Sequence, residues 1–402
     1  MTTPIKKSRE ARAPSAAGPL ARAAALRGLL QEEAADHDRQ RRLSDRTVAA
    51  LRDSGMLRLT VPRALGGHEV DMRTLLDVAV ELGRGCTSTS WVTSVVNTGN
   101  YLIGLFPEET RKDVWGANPD VCAIGVLTPT AQVEPAEGGV RVTGKWAYSS
   151  GSQIADWAML GIPYGGTAEA PEISFALMPM SELTVQDTWH VMGMRGTASN
   201  TVVAEHVFVP QRRLLSVQAT LGEEFADQFP DEPLYQTNLA GILVMVLIGS
   251  QLGAVRTALD YVREKAPQRS ISATFYPNQS ESVAFQMDLA EAANKIDTAD
   301  LLLHRLAGVL DDHGQRGERI DLELRARNRV DGATASQLVK EAMDLLVSAH
   351  GTSAFADSNP LQRIFRDLNV ASRHAGTGVR VPRELYGKAM LGKNPFDITF
   401  LL

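Results

Sequence analysis

Two short stretches carry residue types suited to proton transfer and directed hydrogen bonding. In ASRHAGT, His374 stands in a Gly-punctuated turn. An unperturbed imidazole titrates at about 6.5, so such a group can take or donate a proton at neutral pH. In WAYSSGS, Ser149 and Ser150 close a strand-like run just ahead of Gly151. Successive strand side chains point to opposite faces, so only one of the two hydroxyls can meet a given partner. The other histidines are scattered. His37, His68 and His313 fall in polar loops or turns, His190 and His206 in strand-like runs, and His304 in a helical one, while His350 opens the turn HGTSAF. No pair has metal-ligand spacing with a carboxylate partner, so no metal is expected. Neither a GxGxxG nor a Walker sequence follows a strand–helix unit, so the chain offers no nicotinamide module of its own.

The elements that must position these residues fall into three zones. At 402 residues the chain is too long for one core and implies two or three packed units. From 21 to 117 apolar residues recur at helical spacing, as in LSDRTVAALRDSGML and MRTLLDVAVELGR, with the loop TVPRALGGHEVD between them. From 118 to 215 the period changes. CAIGVL, VRVTGKWAYSS, WAMLGIP, EISFALMPM and NTVVAEHVFVP are short, rich in β-branched and aromatic residues, and divided by turn signals, which predicts a small antiparallel barrel or sandwich. From 234 to 395 helical periodicity returns, clearest in SVAFQMDLAEAANKIDTADLLLHRLAGVL and in NRVDGATASQLVKEAMDLLVSAHG, which ends at a helix-stopping Gly.

Composition narrows the partners. A net charge of -6 argues against nucleic acid, which needs clustered Lys and Arg. The basic residues near the start (Lys6, Lys7, Arg9, Arg12) are interrupted by Ala, Pro and Gly, so residues 1–20 read as a disordered lead-in rather than a targeting peptide. Cys86 and Cys122 lie far apart and outside any CxxC pattern, which fits a reducing cytoplasm and gives no disulfide framework. The apolar run LAGILVMVLIG, Leu239 to Gly249, is too short to span a bilayer and reads as a buried bundle helix, so no membrane is expected.

Helices, then strands, then helices is an uncommon order, and four motifs carry a resemblance across residues 25 to 395. LRDSGMLRLTVPRALGGHEVD, VRVTGKWAYSSGSQIADWAML, WHVMGMRGTASNTVVAEHVFVP and HGTSAFADSNPLQRIFRDL resemble, in order, signatures of the acyl-CoA dehydrogenase superfamily. The resemblance implies a multi-domain α+β fold: an N-terminal helical bundle, a central antiparallel β-barrel and a C-terminal four-helix bundle. It also exposes a departure. Aligned on Arg366-Asp367, the position of the dehydrogenases' proton-abstracting glutamate holds Ala375, followed by Gly376-Thr377. A methyl group cannot remove a proton. With His374 beside that position, the chain resembles the flavin-dependent monooxygenases of this fold, among them hydroxyphenylacetate hydroxylase oxygenases, dibenzothiophene monooxygenase and indole oxygenases of natural-product pathways.

Such a resemblance implies the oxygenase half of a two-component system, using reduced flavin (FADH2 favoured, FMNH2 also compatible) and O2 through a C4a-hydroperoxide. A separate NAD(P)H-flavin reductase would supply the flavin, and the chain would assemble as a homotetramer. Ser150, rather than Ser149, would guard the flavin N5 proton. His374 would act as acid or base toward the substrate, or orient the peroxide through its N–H. Leu127, Thr128 and Thr130 would meet the pyrimidine edge, with Thr197 and Ser199 near the ring, and Gly376 and Thr377 would adjoin the cofactor. Arg269, Gln286 and His350 would reach its phosphates and adenine, across a subunit boundary in the case of Arg269 and Gln286. A helix over Ser90–Phe106 would line the substrate pocket through Trp91, Asn97, Asn100 and Tyr101. Phenol-hydroxylating relatives carry a histidine there and this chain has none, which counts against phenols and leaves indoles, polyketide rings or amines open. An acyl-CoA dehydrogenase with a relocated base, an amine N-hydroxylase and a flavin-free scaffold stand as the alternatives.

Overall fold

The structure, a computed structural model, describes residues 17–167, 171–222, 225, 228–229, 232–399 and 401–402. Most of the lead-in expected at the start therefore lies outside the described residues, and the first helix already begins at Pro19.

Five helices come first: α1 (Pro19–Gln40), α2 (Asp45–Asp53), α3 (Met72–Gly85), α4 (Thr87–Gly104) and α5 (Glu108–Trp115). Ser44 and Asp71 cap α2 and α3 by accepting from the amides of Thr47 and Thr74. Helix α4 is buried nearly all round, as expected of a helix apolar or hydroxyl-bearing on every face. Its hydroxyls are satisfied locally: Thr93 and Thr98 donate to carbonyls four residues back, and Ser90 donates to Ala79 O of α3. Gly99 lets the α4 backbone close on the Ala123 carbonyl, where a Cβ would sit 2.4 Å away.

The strands are β1 (Ala123–Val126), β2 (Ala131–Ala136), β3 (Gly139–Ser149), β4 (Trp157–Gly166), β5 (Pro171–Pro179), β6 (Thr184–Gln186), β7 (Asn200–Pro210) and β8 (Leu214–Ser216). Of the expected antiparallel barrel or sandwich, they form two four-stranded sheets, in the orders β1-β4-β5-β8 and β2-β3-β7-β6, and one pair departs from the antiparallel expectation, β1 pairing parallel with β4. The reason is topological. The β2–β3 hairpin between them belongs to the other sheet, so the chain leaves the first sheet and re-enters it in the same direction. Val140, Val142, Trp146, Leu160, Ile162, Met178 and Val202 fill the strand core.

After α6 (Val217–Leu221) come α7 (Leu239–Lys265), α8 (Val283–Arg316), α9 (Leu322–His350), α10 (Pro360–Ala371) and α11 (Arg380–Met390). The apolar run at Leu239 opens a 27-residue helix, longer than the run itself. By length and composition α7 could cross a membrane, but 89% of its most apolar window is buried inside the protein. It packs on α3 through facing glycines: a Cβ at Gly253 would lie 2.0 Å from Val80 O, and one at Gly83 would lie 2.5 Å from Ser250 O.

Candidate functional site

The site begins at a break in β3. Register between β3 and β7 shifts between Trp146 and Ser149, and Tyr148 within the shift has φ 62°. That bulge, rather than simple alternation, decides the two serines. Ser149 turns inward and donates to Trp146 O at 3.0 Å. Ser150, half-buried, turns toward Ser199 at 2.8 Å. Met194 and Ala198 are also left-handed, at φ 56° and 46°, so strained backbone clusters around these hydroxyls.

Counting hydrogens gives this hydroxyl chain a direction. Thr197 Oγ1 donates to Met194 O at 2.8 Å, so in its contact of 2.7 Å with Ser199 it must accept. Ser199 has then given its proton to Thr197 and accepts from Ser150. Ser150 in turn accepts from Trp91 Nε1–H at 3.3 Å. Every hydroxyl proton is committed away from Ser150, which is left with one free acceptor lone pair.

Trp91 also joins the chain to the histidine. Its ring meets the His374 imidazole edge-on, with centroids 5.5 Å apart and planes at 76°. His374 Nδ1 accepts from the Gly376 amide at 3.1 Å, which places the neutral ring's proton on Nε2. Burial, with Arg329 adding to it, pushes the His374 pKa down. Protein surrounds the ring, yet the residue remains open to solvent. The two roles expected of His374 now separate. A base would need a bare Nε2, whereas this turn presents Nε2–H as a donor.

The Arg366-Asp367 pair of α10 ties the two halves together. Arg366 holds Asp38 of α1 through two bonds of 3.1 and 2.8 Å. Buried Asp367 accepts from the Met194 amide at 2.5 Å, fixing the residue whose carbonyl ends the hydroxyl chain. Burial raises the Asp367 pKa to about 6. Just past this helix end comes His374. The Thr377 hydroxyl donates to the carbonyls of Ala371 and His374, both at 3.0 Å. Gly376 and Thr377 thus shape the histidine's turn.

A second polar cluster lies on the C-terminal bundle. Arg269 donates to His350 O at 2.9 Å and to Ser353 Oγ at 2.7 Å. His350 Nε2 accepts from Asn359 at 3.1 Å, so its proton is on Nδ1. His350 Nδ1, Arg269 Nε and Gln279 Oε1 are buried without a hydrogen-bond partner. Burial, with Arg269 adding to it, lowers the His350 pKa to about 4. Gln279, whose backbone amide donates to Arg269 O at 2.7 Å, belongs to this cluster, and sequence reasoning missed it. Gln286, which was expected there, is exposed and donates to Ser280 O. The two glutamines stand close together in the chain, and no local pattern separates the buried one from the exposed one.

Other expected residues are placed differently. Asn97 is wholly buried, and its amide is saturated by backbone: it donates to Met56 O and Thr93 O, both at 2.8 Å, and accepts from Leu59 N and Thr60 N. Tyr101 donates to Thr237 O and stacks on Tyr235. Both therefore build the core, correcting their expected contact with substrate. Asn100 donates to Leu57 O while its Oδ1 is buried without a partner. Thr130 donates to Lys145 O at 2.6 Å, Thr128 is exposed, and Leu127 is half-buried with its carbonyl against Gly161. Among the described residues no group of three or more His, Cys, Asp or Glu could hold a metal ion.

Comparison with known proteins accords with this geometry. Residues 21–117 match the family model for the acyl-CoA dehydrogenase N-terminal domain, and residues 245–378 that for the C-terminal domain. The FADH(2)-dependent resorcinol hydroxylase oxygenase component of a Rhizobium strain is 32% identical, covering 93% of this chain and 94% of its own. The chain belongs to the flavin-dependent monooxygenases of the acyl-CoA dehydrogenase fold. The flavin-dependent monooxygenase oxygenase subunit HsaA of Rhodococcus jostii is 31% identical over 92% of this chain and 97% of its own. Among solved structures, XiaF from Streptomyces, in complex with FADH2 and glycerol, superposes with a TM-score of 0.90 at 36% identity, covering 94% and 96% of the two chains.

A flavin fits what this monooxygenase offers. Reduced flavin carries an N5–H donor, which suits an acceptor-only Ser150, while its phosphates suit donors such as Arg269 Nε–H and His350 Nδ1–H.

Proposed function

We propose that this monooxygenase hydroxylates an aromatic small molecule using O2 and FADH2, the FADH2 arriving from a separate NAD(P)H-flavin reductase. The relatives named for resorcinol hydroxylation and for an FADH2 complex support FADH2 as the flavin and keep phenols within the substrate class. Reduced flavin, when bound, supplies the electrons that activate dioxygen.

The remaining work belongs to the chain's own residues. Ser150 would accept from N5–H and keep the proton there, because no hydroxyl proton in its chain points outward to compete. His374 would direct its Nε2–H at an oxygen of the reacting group, and its lowered pKa keeps the ring neutral at pH 7. Trp91 would fix both at once and wall the cleft with apolar surface, which strengthens each hydrogen bond inside it. Arg269, His350 and Gln279 would take the phosphate and adenine half of the cofactor from a neighbouring copy in a homotetramer, and the enzyme would act in the cytoplasm.

The observation that carries this reading is the direction of the Trp91–Ser150–Ser199–Thr197 chain. Its test is the ratio of hydroxylated product to hydrogen peroxide per reduced FAD. Ser150→Ala should shift that ratio toward peroxide with little change in FADH2 affinity; an unchanged ratio would remove Ser150 from the mechanism.

A further inference from the structure

Helix α9 carries Arg325 and Arg329 one turn apart, and their surroundings differ. Arg325 donates to Ile320 O and Leu221 O, at 2.8 and 2.9 Å. The carboxylate nearest in sequence to Arg329, Asp331, is held by Arg305 of α8 through bonds of 2.8 and 2.6 Å. Arg329 is left without such compensation. It is 5% exposed, its Nε is buried without a hydrogen-bond partner, and among the described residues its guanidinium forms no ion pair. A cation taken out of water without a counter-charge is costly to the fold, and its retention calls for a function.

Its position supplies one. Arg329 lies one turn before Gly332, where α9 presses so closely on α7 that a Cβ would meet Val244 at 2.1 Å and Ile248 at 3.2 Å. Leu247, on that same turn of α7, is the α7 side chain nearest the Gly376 position, 3.9 Å from where its Cβ would be. Arg329 and the His374 turn therefore flank one stretch of α7, and Arg329 is the charged group that bears on the His374 imidazole.

We propose that Arg329 sets substrate specificity by binding an oxyanion of the aromatic substrate in the cleft lined by His374. This assignment rests on the proposed hydroxylase reading and adds the substrate's charge to it. A guanidinium presents a planar fork of donors and cannot lose its proton, so the oxyanion it takes is a ring carboxylate or an ionised phenol. An indole without an acidic substituent lacks the matching group.

The test is binding rather than turnover. Dissociation constants for benzoate, resorcinol and indole are measured by intrinsic fluorescence on the full chain with FADH2 under anaerobic conditions. Arg329→Met should weaken benzoate or resorcinol about ten- to a hundredfold, leave indole and FADH2 affinities unchanged, and keep or raise the melting temperature. Arg329→Lys should recover part of the loss. Which of the two acids suffers identifies the oxyanion. Equal affinity of all three probes before and after substitution, failure of the wild type to bind either acid, or a loss of FADH2 affinity instead would each overturn the proposal. Hydroxylated product formed by the wild type from FADH2 and O2 is assayed in parallel, so that failure of the hydroxylase reading is seen separately from failure of the Arg329 assignment.

Discussion

Trp91 holds His374 edge-to-face at 5.5 Å, and the same indole donates its only N–H to Ser150. One side chain thereby sets the distance between the site's acceptor and its donor. Trp91→Phe keeps an aromatic edge for His374 but removes the hydrogen bond to Ser150. A neutral hydrogen bond is worth about 1 kcal/mol. With the Ser150 hydroxyl freed to rotate, peroxide release per reduced flavin should rise about fivefold for a loss of that size, measured by peroxide assay against product, with folding stability changed little.

The direction of the hydroxyl chain is open to test at its far end. Thr197→Val removes the acceptor that receives the Ser199 proton and the donor to Met194 O. Ser199 can then turn its proton toward Ser150, and Ser150 can turn its own outward. The same uncoupling should therefore appear from a residue two steps away, smaller than in Ser150→Ala. If Thr197→Val leaves the product-to-peroxide ratio at the wild-type value while Ser150→Ala changes it, the chain does not act as a unit.

Much of this was legible in the sequence, for identifiable reasons. The helix–strand–helix order follows from changes in apolar period, and Ser150 and His374 stand in motifs with turn residues beside them. Strand alternation lets only one of the two serines face the site, but the choice is made by a left-handed Tyr148 bulge, which no local pattern announces. Nor does sequence show that β1 enters its sheet parallel, because the partner strand lies beyond an intervening hairpin. Asn97 and Tyr101 stand on the helix that the resemblance assigns to the substrate pocket, yet both side chains are buried. Their partners, Met56, Leu59 and Thr237, are distant in sequence, and only the fold brings them close. Arg329 sits among other charged residues on α9, and only the fold shows that it is buried.

His374 should leave a mark on the pH profile. Its pKa is lowered in the folded protein, so Nδ1 stays bare to accept from the Gly376 amide, and holds Nε2–H in place, below the ordinary value of about 6.5. The acid limb of kcat/KM should therefore fall below about pH 6.5 in the wild type. His374→Ala should cost about 10² in product formation, and its residual activity should no longer show that limb. An acid limb above the ordinary imidazole value that survives in His374→Ala would assign the titration elsewhere.

Asn97→Ala separates architecture from substrate contact. Removing the amide takes away the partner of the buried Leu59 and Thr60 amides and of the Met56 carbonyl. Unfolding free energy should drop by about 2–4 kcal/mol, with substrate preference unchanged in the folded fraction. A shifted preference with intact stability would return Asn97 to the pocket.

His304 links α3 to α8 between Asp77, at 3.1 Å, and Asp300, at 3.2 Å, and those carboxylates raise its pKa to about 10. A raised folded value means the contribution is complete below the unfolded value of about 6.5 and fades as pH climbs through about 10. The melting-temperature difference between wild type and His304→Gln should be largest near about pH 6 and shrink toward about pH 10. A difference that grows with pH would contradict this assignment.

The fate of dioxygen separates hydroxylation from dehydrogenation. Enzyme is loaded anaerobically with FADH2 and a hydroxyaromatic substrate, then mixed with 18O2, and the product mass is read. One 18O atom should appear in each molecule of product, with the yield reduced and peroxide increased in Ser150→Ala. Product free of 18O, or oxidation of an acyl thioester to its enoyl form with no dioxygen consumed, would contradict the assignment of this chain's site to aromatic hydroxylation.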